Sequence, residues 1–392
     1  MKRILPIIVL SQFLCTSVWF AGNAIMPELV SQFHLEASYV AHLSTAVQLG
    51  FIIGTFIFAL LSISDRFSPS RVFLICGICA AAINLCIALP GITVFQLFAF
   101  RMTTGFFLAG IYPVGMKIAA DHYEKGLGKS LGFLVGALVL GTAFPHFLKS
   151  LTTSLPWHYV LFSTSSLAAA GGLAMYFFVP DGPYRKAVQA LDPKSFFISF
   201  RNKEFRAAAI GYFGHMWELY AFWVFLPVML INYKNQHPAS ELNIPLVSFF
   251  IIATGAIACI ASGLLSARFG IKKTAAIALC VSGICCLLSP IFLSGSSTVC
   301  CLLFLTFWSM AVIADSPLFS TLVAQEAAAT ARGTALTIVN CIGFSITIIS
   351  IQLINLLIND GYKPYIFMAL ALGPVIGLLA MRFQRNASPK LT

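Results

Sequence analysis

The sequence predicts an all-α polytopic membrane protein with twelve transmembrane helices. Hydrophobic residues make up 59% of the 392 residues and charged residues only 9%, and the mean hydropathy is +0.91. A water-soluble chain of this length needs more charge to cover its surface. The apolar residues form runs of roughly the 20 residues that a helix needs to cross the hydrocarbon core. These runs lack the alternation of an outer-membrane β-barrel, so we expect helices, which satisfy their own backbone hydrogen bonds in lipid.

Numbered in chain order, the predicted spans cover residues 5–29, 40–63, 72–90, 93–118, 129–149, 157–179, 207–232, 243–265, 274–294, 297–320, 333–358 and 364–381. The longest polar stretch lies at 180–206, between spans 6 and 7, and contains Pro, Gly and several basic residues. We predict that it is a cytoplasmic connector with a short surface helix around Pro193–Phe200. The sequence therefore predicts an N-terminal six-helix bundle at 1–180, a connector at 181–206 and a C-terminal six-helix bundle at 207–392.

The basic residues predict the orientation of the chain. If both termini are cytoplasmic, nearly all of the 24 Lys and Arg residues lie on the cytoplasmic side, whereas Lys149, Lys234 and Lys363 lie on the outer side. This distribution follows the positive-inside rule. The net charge of +11 is then explained by topology, and no nucleic-acid partner is needed. We expect a multi-pass protein of a bacterial inner membrane, with lipid as its surroundings and its first span retained as a helix.

Three charged residues lie well inside predicted spans: Arg101 in span 4, Glu218 in span 7 and Asp315 in span 10. A charge at that depth costs roughly 2.5–3.5 kcal/mol on insertion scales, so such residues face a cavity or a partner. Arg101 has two interpretations. Either it attracts an anionic substrate or tunes a proton-carrying acid, or it bonds to backbone carbonyl groups or an acid and fixes helix packing.

Glu218 lies near the middle of span 7, with His215 three residues earlier on the same helix face. A carboxyl group in a low dielectric can bind and release a proton, and His titrates near neutrality. Trp217 and Tyr220 are candidates to line a substrate cavity. The alternative is a structural ion pair of Glu218 with Arg101 or His215, with the aromatic residues in ordinary packing.

Asp315 comes two residues before Pro317 in span 10. Because Pro removes a helical hydrogen bond and bends a helix, the two residues predict a hinge beside an acid; the alternative is an acid close to cytoplasmic water. Further candidates for the cavity wall lie in spans 1, 2 and 4: Trp19, Asn23, Gln48 and Tyr112. Trp19 and Asn23 lie on one face of the predicted helix, although polar residues also hold membrane helices together.

The two halves of the chain carry similar landmarks. Arg66, after span 2, precedes Arg268, after span 8, by 202 residues, and Pro113 in span 4 precedes Pro317 in span 10 by 204 residues. Aligned landmarks in two six-span halves are typical of transporters with an internal repeat, whose binding site lies between the repeats.

The loops after spans 2 and 8 resemble a signature of the major facilitator superfamily, Gly-x-Leu-x-Asp-Arg-x-Gly-Arg-Arg. The first copy keeps the acid and two basic residues, Asp65, Arg66 and Arg71, and has Ser68 in place of the inner Gly. The second copy has Ala in place of the acid, and its matching residues are Gly263, Leu265, Arg268, Gly270, Lys272 and Lys273. The superfamily's helix 4 signature, Arg-x-x-x-Gly, is met at Arg101 and Gly105, and its helix 5 signature is met in part.

The resemblance implies alternating access, in which two bundles rock about a central cavity. We predict gating roles for Asp65, Arg66, Arg71 and Arg268, with Asp65 and Arg66 latching the outward-facing state; the alternative is that these residues only hold the topology. An acid at a helix end can meet helix dipoles or a neighbouring Arg. Within the superfamily the sequence is similar to the anion and cyanate-type branch. It differs from nitrate porters because spans 2 and 8 contain no Arg.

The sequence predicts a secondary transporter and no enzyme. The His-Glu-x-x-His motif of metalloproteases is absent, and a phosphate-binding loop fails because Tyr123 stands where its first Gly is needed. We expect no catalytic residue, metal or cofactor, and a monomer that moves a small organic or inorganic anion together with a coupling proton. Proton-driven export of a drug or metabolite is the alternative within this class. A membrane-embedded receptor or enzyme is the alternative outside it.

Overall fold

The computed structural model describes residues 4–36, 38–123, 127–151, 155–185, 198–295, 297–327 and 332–382. Twelve helices, α1 to α12, follow the predicted spans in order, and a helix with several segments keeps one label. Their bounds are α1 Ile4–Thr16, Ala21–Ala24 and Met26–Phe33; α2 Tyr39–Leu60; α3 Pro69–Cys86; α4 Val94–Leu108 and Tyr112–His122; α5 Leu127–Leu151; α6 His158–Phe178; α7 Lys203–Gln236; α8 Ile244–Phe269; α9 Ile271–Ser294; α10 Thr298–Ala314 and Ser316–Glu326; α11 Arg332–Asn359; and α12 Pro364–Ala371 and Leu372–Arg382. Most of the connector helix expected around Pro193–Phe200 lies outside the described residues.

The helices have the length and composition of membrane spans. Within the described residues, eleven helices are long and apolar enough to cross a membrane, and the first segment of α1 is a shorter apolar helix. The predicted all-α fold with twelve transmembrane helices is confirmed. Because twelve crossings return the chain to its starting side, both ends of the described chain lie at one face of the bundle. We call this the terminal face, and we call the other the opposite face.

α1 is not the continuous helix that the predicted span 5–29 implied. It ends at Thr16 and resumes at Ala21, and the chain turns through the residues between them. The Ser17 hydroxyl group donates a hydrogen bond to the carbonyl oxygen of Leu14 at 2.7 Å. Side chains that bond to nearby backbone compete with helical hydrogen bonds and favour such breaks.

α4 and α10 break at equivalent places. α4 ends at Leu108 and resumes at Tyr112, and α10 is interrupted at Asp315. In both helices the second residue of the new segment is a proline, Pro113 or Pro317. Proline lacks a backbone N–H and suits the first turn of a helix, where that group has no helical partner. The breaks therefore coincide with the landmarks that relate the two halves.

The helices pack as two bundles joined by two seams. In the N-terminal half α1 packs against α5 and α6, and α2 packs against α4. In the C-terminal half α7 packs against α11 and α12, and α8 packs against α10. The seams between the halves are formed by α5 with α8 and by α2 with α11. Residues at these seams therefore lie between the two halves.

The close contact between α2 and α4 depends on two glycines. A Cβ atom on Gly50 would lie 2.7 Å from the carbonyl carbon of Met102, and one on Gly105 would lie 2.7 Å from the carbonyl carbon of Val47. Both distances are far shorter than a favourable carbon–carbon contact. Small residues let membrane helices approach in this way, and the contact fixes the height of Arg101 on α4.

Candidate functional site

Aromatic rings from both halves meet where the two bundles face each other. The ring centroid of Trp19 lies 4.9 Å from that of Phe51, 5.9 Å from Tyr220 and 5.8 Å from Phe344. The Phe344 centroid lies 4.5 Å from Phe51 and 5.2 Å from Tyr220. These separations are typical of favourable aromatic pairs. We call these four rings the central cluster; two come from the N-terminal half and two from the C-terminal half.

Further aromatic residues extend the central cluster. The rings of Phe20 and Trp223 meet edge to face across the halves, with centroids 6.2 Å apart. Trp223 is 1% exposed, and its indole N–H has no hydrogen-bond partner among the described residues. Tyr112 is the first residue of the second segment of α4. The structure therefore places the predicted residue Tyr220 in the central cluster, between the halves.

Arg101 is 1% exposed and reaches the break in α1. Its guanidinium group donates hydrogen bonds to the carbonyl oxygen of Trp19 at 2.6 Å and to that of Val18 at 3.3 Å. Its Nε atom is buried without a hydrogen-bond partner, and a Cβ atom on Gly22 would lie 3.0 Å from it. In the part of the chain that the structure describes, no carboxylate forms an ion pair with Arg101. Carbonyl dipoles are therefore the partners of this buried charge.

Glu218 is fully buried in α7 and contacts two other helices of the same half. Trp308 of α10 donates its indole N–H to one carboxyl oxygen at 2.6 Å, and Ser282 of α9 donates its hydroxyl group to the other at 2.8 Å. The two ion pairs considered for Glu218, with Arg101 or with His215, are not formed among the described residues. The carboxyl group is instead held by neutral donors on both of its oxygens.

His215 pairs with Asp315 at the break in α10. The distance from Nδ1 of His215 to Oδ1 of Asp315 is 2.7 Å, and both side chains are 0% exposed. α7 and α10 run in opposite directions, so the face of α7 that carries His215 and Glu218 meets the face of α10 that carries Asp315 and Trp308. The three intramembrane charges therefore divide between the halves, with Arg101 in the N-terminal half and both acids in the C-terminal half.

Hydrogen bonds join the halves along the seam of α2 and α11. The Thr347 hydroxyl group donates to Oε1 of Gln48 at 2.8 Å. The Gln352 amide nitrogen donates to the Thr45 hydroxyl oxygen at 3.1 Å and lies 3.3 Å from Nδ1 of His42. These residues occupy the parts of α2 and α11 nearer the opposite face. The predicted residue Gln48 therefore lies between the halves and helps to hold them together there.

The seam of α5 and α8 is tight near the opposite face. The ring centroids of Phe147 and Phe249 lie 4.9 Å apart. Further along, a Cβ atom on Gly136 would lie 3.6 Å from Ala256, and one on Gly132 would lie 3.9 Å from the carbonyl oxygen of Cys259. The described contacts therefore join the two halves near the opposite face and along the middle of this seam.

Two predicted cavity residues make their contacts within one half. Asn23 donates its amide N–H to the Ser44 hydroxyl oxygen of α2 at 2.7 Å. Trp217 donates its indole N–H to the carbonyl oxygen of Ala369 at 3.2 Å and lies against Gly373, both in α12. The structure thus places Trp217 against α12 and does not bring it into the central cluster.

Asp65 lies at the terminal face, in the short helix Ile63–Arg66 that follows α2. It forms an ion pair with Lys117 of α4 at 2.9 Å, and Lys117 lies 3.5 Å from Asp121. All three residues belong to the N-terminal half. In this state the predicted latch residue therefore connects α2 to α4 within one bundle.

The predicted basic gating residues are exposed at the terminal face; they are Arg66, Arg71 and Arg268. The guanidinium carbon of Arg268 lies 5.4 Å from the ring centroid of Phe269. Gly270 has a φ of 88°, a value that favours glycine, whereas Ser68 in the first loop has a φ of −59°. The departure from the family signature at Ser68 thus agrees with the backbone that the first loop adopts.

The beginning of the connector is attached to the loop that carries Asp65. Arg185 donates hydrogen bonds to the carbonyl oxygens of Asp65 at 2.8 Å and Phe67 at 2.7 Å. It also forms an ion pair with Asp181 at 2.9 Å. An exposed ion pair contributes little stability, but the two carbonyl contacts fix the loop between α2 and α3.

Sequence reasoning missed two rings of the central cluster, Phe51 and Phe344. It also missed the polar partners that distant segments supply: Ser282, Trp308, Thr347 and Gln352. A signal was present for Trp308, because it lies two helical turns before Asp315 and so on the same face of α10. No spacing points to Ser282 or Thr347, since they lie 64 and 299 residues from their partners.

Comparisons with known proteins agree with this architecture. The family model for the Major Facilitator Superfamily matches residues 8–351. Among solved structures, the crystal structure of the human organic anion transporter MFSD10 (TETRAN) is similar, with a TM-score of 0.77 and 16% sequence identity, covering 97% of this chain and 99% of that one. A crystal structure of the nucleoside transporter NupG gives a TM-score of 0.73 and 15% identity, covering 97% of this chain and 99% of that one. No curated protein matches the sequence significantly.

The two structural likenesses show the fold, and the match to the family model over most of the chain shows the family. The predicted resemblance is therefore confirmed, and the chain is a transporter and not an enzyme. With its two six-helix halves, its paired seams and this match, the chain belongs to the major facilitator superfamily.

Proposed function

We propose that the chain is a secondary active transporter that moves a small organic or inorganic anion by alternating access and couples this movement to protons. The observation that supports an anion is the buried charge of Arg101. Among the described residues its guanidinium group contacts carbonyl groups and its Nε atom has no partner. A buried cation that lacks a carboxylate partner attracts anions strongly, because the surrounding dielectric is low.

Glu218 is the proposed proton-carrying group. Hydrogen bonds from Trp308 and Ser282 stabilise its carboxylate, whereas its burial favours the neutral acid. These opposed effects allow the group to change its protonation state when the halves open to water. Glu218 shares α7 with Tyr220 of the central cluster, so a change at the carboxyl group reaches the interface through one helix.

The two seams support alternating access. Hydrogen bonds such as that of Thr347 with Gln48 join the halves near the opposite face, and the rings of Phe147 and Phe249 join them there on the other seam. We propose that the terminal face is cytoplasmic and that the membrane is a bacterial inner membrane, as the positive-inside rule favours. Both halves come from one chain, so a monomer in lipid is sufficient for the cycle.

The central cluster favours a second candidate function, proton-driven export of an apolar or cationic drug or metabolite. The faces of Trp19 and Tyr220 provide the aromatic surface that stacks on apolar groups and attracts cations. The first candidate has support from one similar structure, which is described as an organic anion transporter. The two candidates differ in the sign of the substrate's charge and in the direction of proton movement.

The test is substrate-dependent proton movement in proteoliposomes, followed with a pH-sensitive dye. The panel contains inorganic anions, small organic anions, nucleosides and cationic drugs. We expect an anion to drive proton flux in the wild type, Arg101→Ala to weaken substrate binding, and Glu218→Gln to abolish proton flux while substrate counterflow persists. The matched controls are the exposed residues Arg382 and Glu36, changed to Ala and Gln.

Each outcome selects one interpretation. Flux driven by cationic drugs in the direction of antiport would favour the second candidate. Counterflow of an anion without proton flux in the wild type would show that another coupling ion, or none, is used. If proton flux persists in Glu218→Gln, Glu218 is not the proton-carrying group.

A further inference from the structure

The break in α10 is held by a buried acid–base pair that proton coupling through Glu218 leaves without a role. His215 and Asp315 lie 2.7 Å apart and both are fully buried. Asp315 is the residue between the two segments of α10, with backbone angles φ −85° and ψ −15°. The pair therefore joins α7 to the point at which α10 changes from one segment to the next.

The backbone of α10 is irregular at this point. Because Pro317 has no N–H, the carbonyl group of Ile313 lacks the donor that a regular helix supplies. The Cys259 thiol approaches this carbonyl oxygen at 3.7 Å, a weak contact. Beyond the break, the ring of Phe319 lies 6.4 Å from that of His215. His215 is thus the polar contact of α7 at the break itself. The far end of the segment Ser316–Glu326 is bonded by Asn202, which donates its amide N–H to the carbonyl oxygen of Glu326 at 3.4 Å. The segment also contacts α5 of the other half.

The N-terminal half contains a neutral counterpart of this arrangement. Gln12 of α1 precedes His215 by 203 residues, and Gly115 of α4 precedes Phe319 by 204 residues. These spacings match, within one residue, the 202 and 204 residues between the landmarks that relate the halves. A Cβ atom on Gly115 would lie 3.3 Å from the amide carbon of Gln12, so the two residues are in contact as His215 and Phe319 are. Gln12 does not titrate. Ile111, 204 residues before Asp315, carries no charge either.

We propose that His215 and Asp315 form a proton-operated lock on the segment Ser316–Glu326, present in one half of the repeat and absent from the other. With one proton shared between the two side chains, a neutral ion pair holds the segment against α7. A second proton, taken from water and bound to the carboxylate of Asp315, leaves a cationic His215 beside a neutral acid and removes the attraction. The segment is then free to move, and the seam with α5 at the terminal face opens or closes with it.

This inference rests on the proposed function, since a lock has a role only in a carrier that changes state. The titratable side chains next to the pair are Tyr212 and Glu218 of α7 and Cys259 of α8. Cys286 of α9 neighbours Glu218, and Cys341 of α11 neighbours Tyr212. Glu218 is the acid among them, and its protonation state changes the electrostatic field at the pair. Glu218→Gln therefore changes the pH at which the lock opens and does not remove the lock.

The test is a distance between spin labels at the terminal face, measured by pulsed electron paramagnetic resonance at pH values from about 5 to about 8, the range in which His titrates. Labels are attached to Gln325→Cys on α10 and Leu60→Cys on α2, both exposed positions. The exposed cysteines Cys280 and Cys300 are first replaced by Ser. No substrate is required, so the measurement is independent of transport.

We expect the distance distribution of the wild type to shift with pH and that of Asp315→Asn to stay fixed over the same range. The double variant His215→Gln with Asp315→Asn has two neutral side chains, like the N-terminal half. Its distance distribution should also stay fixed. This variant leaves no unpaired buried charge, so it tests the lock even if a single variant fails to fold. Asp360→Asn, an exposed acid changed in the same way, should shift as the wild type does.

Two results would overturn the proposed lock. In one, the distances in the wild type do not change with pH; in the other, the distances in Asp315→Asn change with pH as they do in the wild type. The outcome is separable from that of the proposed function. If no solute drives proton flux but the pH-dependent distance change is present and requires Asp315, the proposed function fails and the lock stands. If solute-driven flux is observed and Asp315→Asn keeps the distance change, the lock fails and the proposed function stands.

Discussion

Replacing Trp308 with Phe isolates one hydrogen bond to the proposed proton-carrying group. The change removes the indole N–H that reaches one oxygen of Glu218 at 2.6 Å, while Ser282 continues to donate to the other oxygen. Phe keeps an aromatic ring against Phe222 and Phe304, whose centroids lie 4.7 and 5.7 Å from that of Trp308. The main effect expected is therefore on the relative stability of the charged and neutral forms of the carboxyl group.

The magnitude follows from the difference between two hydrogen bonds. A bond to a charged acceptor contributes roughly 1.5–3 kcal/mol and a bond to a neutral acceptor about 1 kcal/mol, so removing the donor disfavours the charged form by about 0.5–2 kcal/mol. At about 1.36 kcal/mol per pH unit, the pH midpoint of transport should move by about 0.4–1.5 units. The shift is upward, because the neutral form of Glu218 then persists to higher pH.

The assay is substrate-driven proton flux in proteoliposomes across a series of pH values. Trp223→Phe is the matched control, because the buried indole N–H of Trp223 has no hydrogen-bond partner among the described residues, and its midpoint should stay at the wild-type value. In the Glu218→Gln background, where we expect no proton flux, Trp308→Phe should leave substrate counterflow unchanged. A folded Trp308→Phe protein with an unshifted midpoint, or an equal shift in Trp223→Phe, would refute the reasoning.

Three further predictions concern packing and gating. Gly105→Ala should lower the thermal unfolding midpoint of the protein in detergent. The added methyl group overpacks the contact of α4 with α2, which costs about 1–3 kcal/mol, whereas the higher helix propensity of Ala recovers at most about 1 kcal/mol. An unchanged midpoint would contradict this. Asp65→Asn breaks the partly exposed ion pair with Lys117, which contributes roughly 0.2–1 kcal/mol. We therefore expect slower transport with little loss of stability. Transport at the wild-type rate would show that Asp65 does not act as a latch. Thr347→Val removes the hydroxyl group that donates to Gln48, a hydrogen bond that contributes about 0.5–1.5 kcal/mol. An engineered cysteine in this seam near the opposite face should then react with a thiol label roughly 2- to 10-fold faster. Equal labelling rates in the variant and the wild type would show that this contact does not hold the seam.

The course of the helices was predictable because each apolar run and each short loop is a local property of the sequence. The breaks in α4 and α10 were visible for the same reason, since Pro113 and Pro317 act on their own helices. The break in α1 was not visible. It involves a hydroxyl contact from Ser17 to the backbone and lies beside Arg101, which arrives from α4, and no local pattern in span 1 encodes a contact with span 4.

The candidate site was predictable only in its charged members. The cost of burying Arg101, Glu218 and Asp315 makes them stand out in any apolar run, but the cost does not identify their partners. His215 and Glu218 share a face of α7, and this suggested that they interact with each other. The structure gives each a separate partner on α10, because two groups on one face of a helix meet two groups on the facing helix when the helices are antiparallel.

The attachment of Arg101 to the backbone of α1 has a consequence for the response to membrane voltage. A charge that crosses the full membrane potential gains or loses about 2.3 kcal/mol per 100 mV. Because Arg101 is bonded to the carbonyl groups of Val18 and Trp19, its charge moves only as far as the N-terminal bundle moves, whereas Glu218 and Asp315 can lose theirs by binding protons. When both acids are protonated, the interior of the carrier therefore has a net positive charge. We expect the step that moves this protonated form to be voltage-dependent, even when the transported anion and its protons balance in charge.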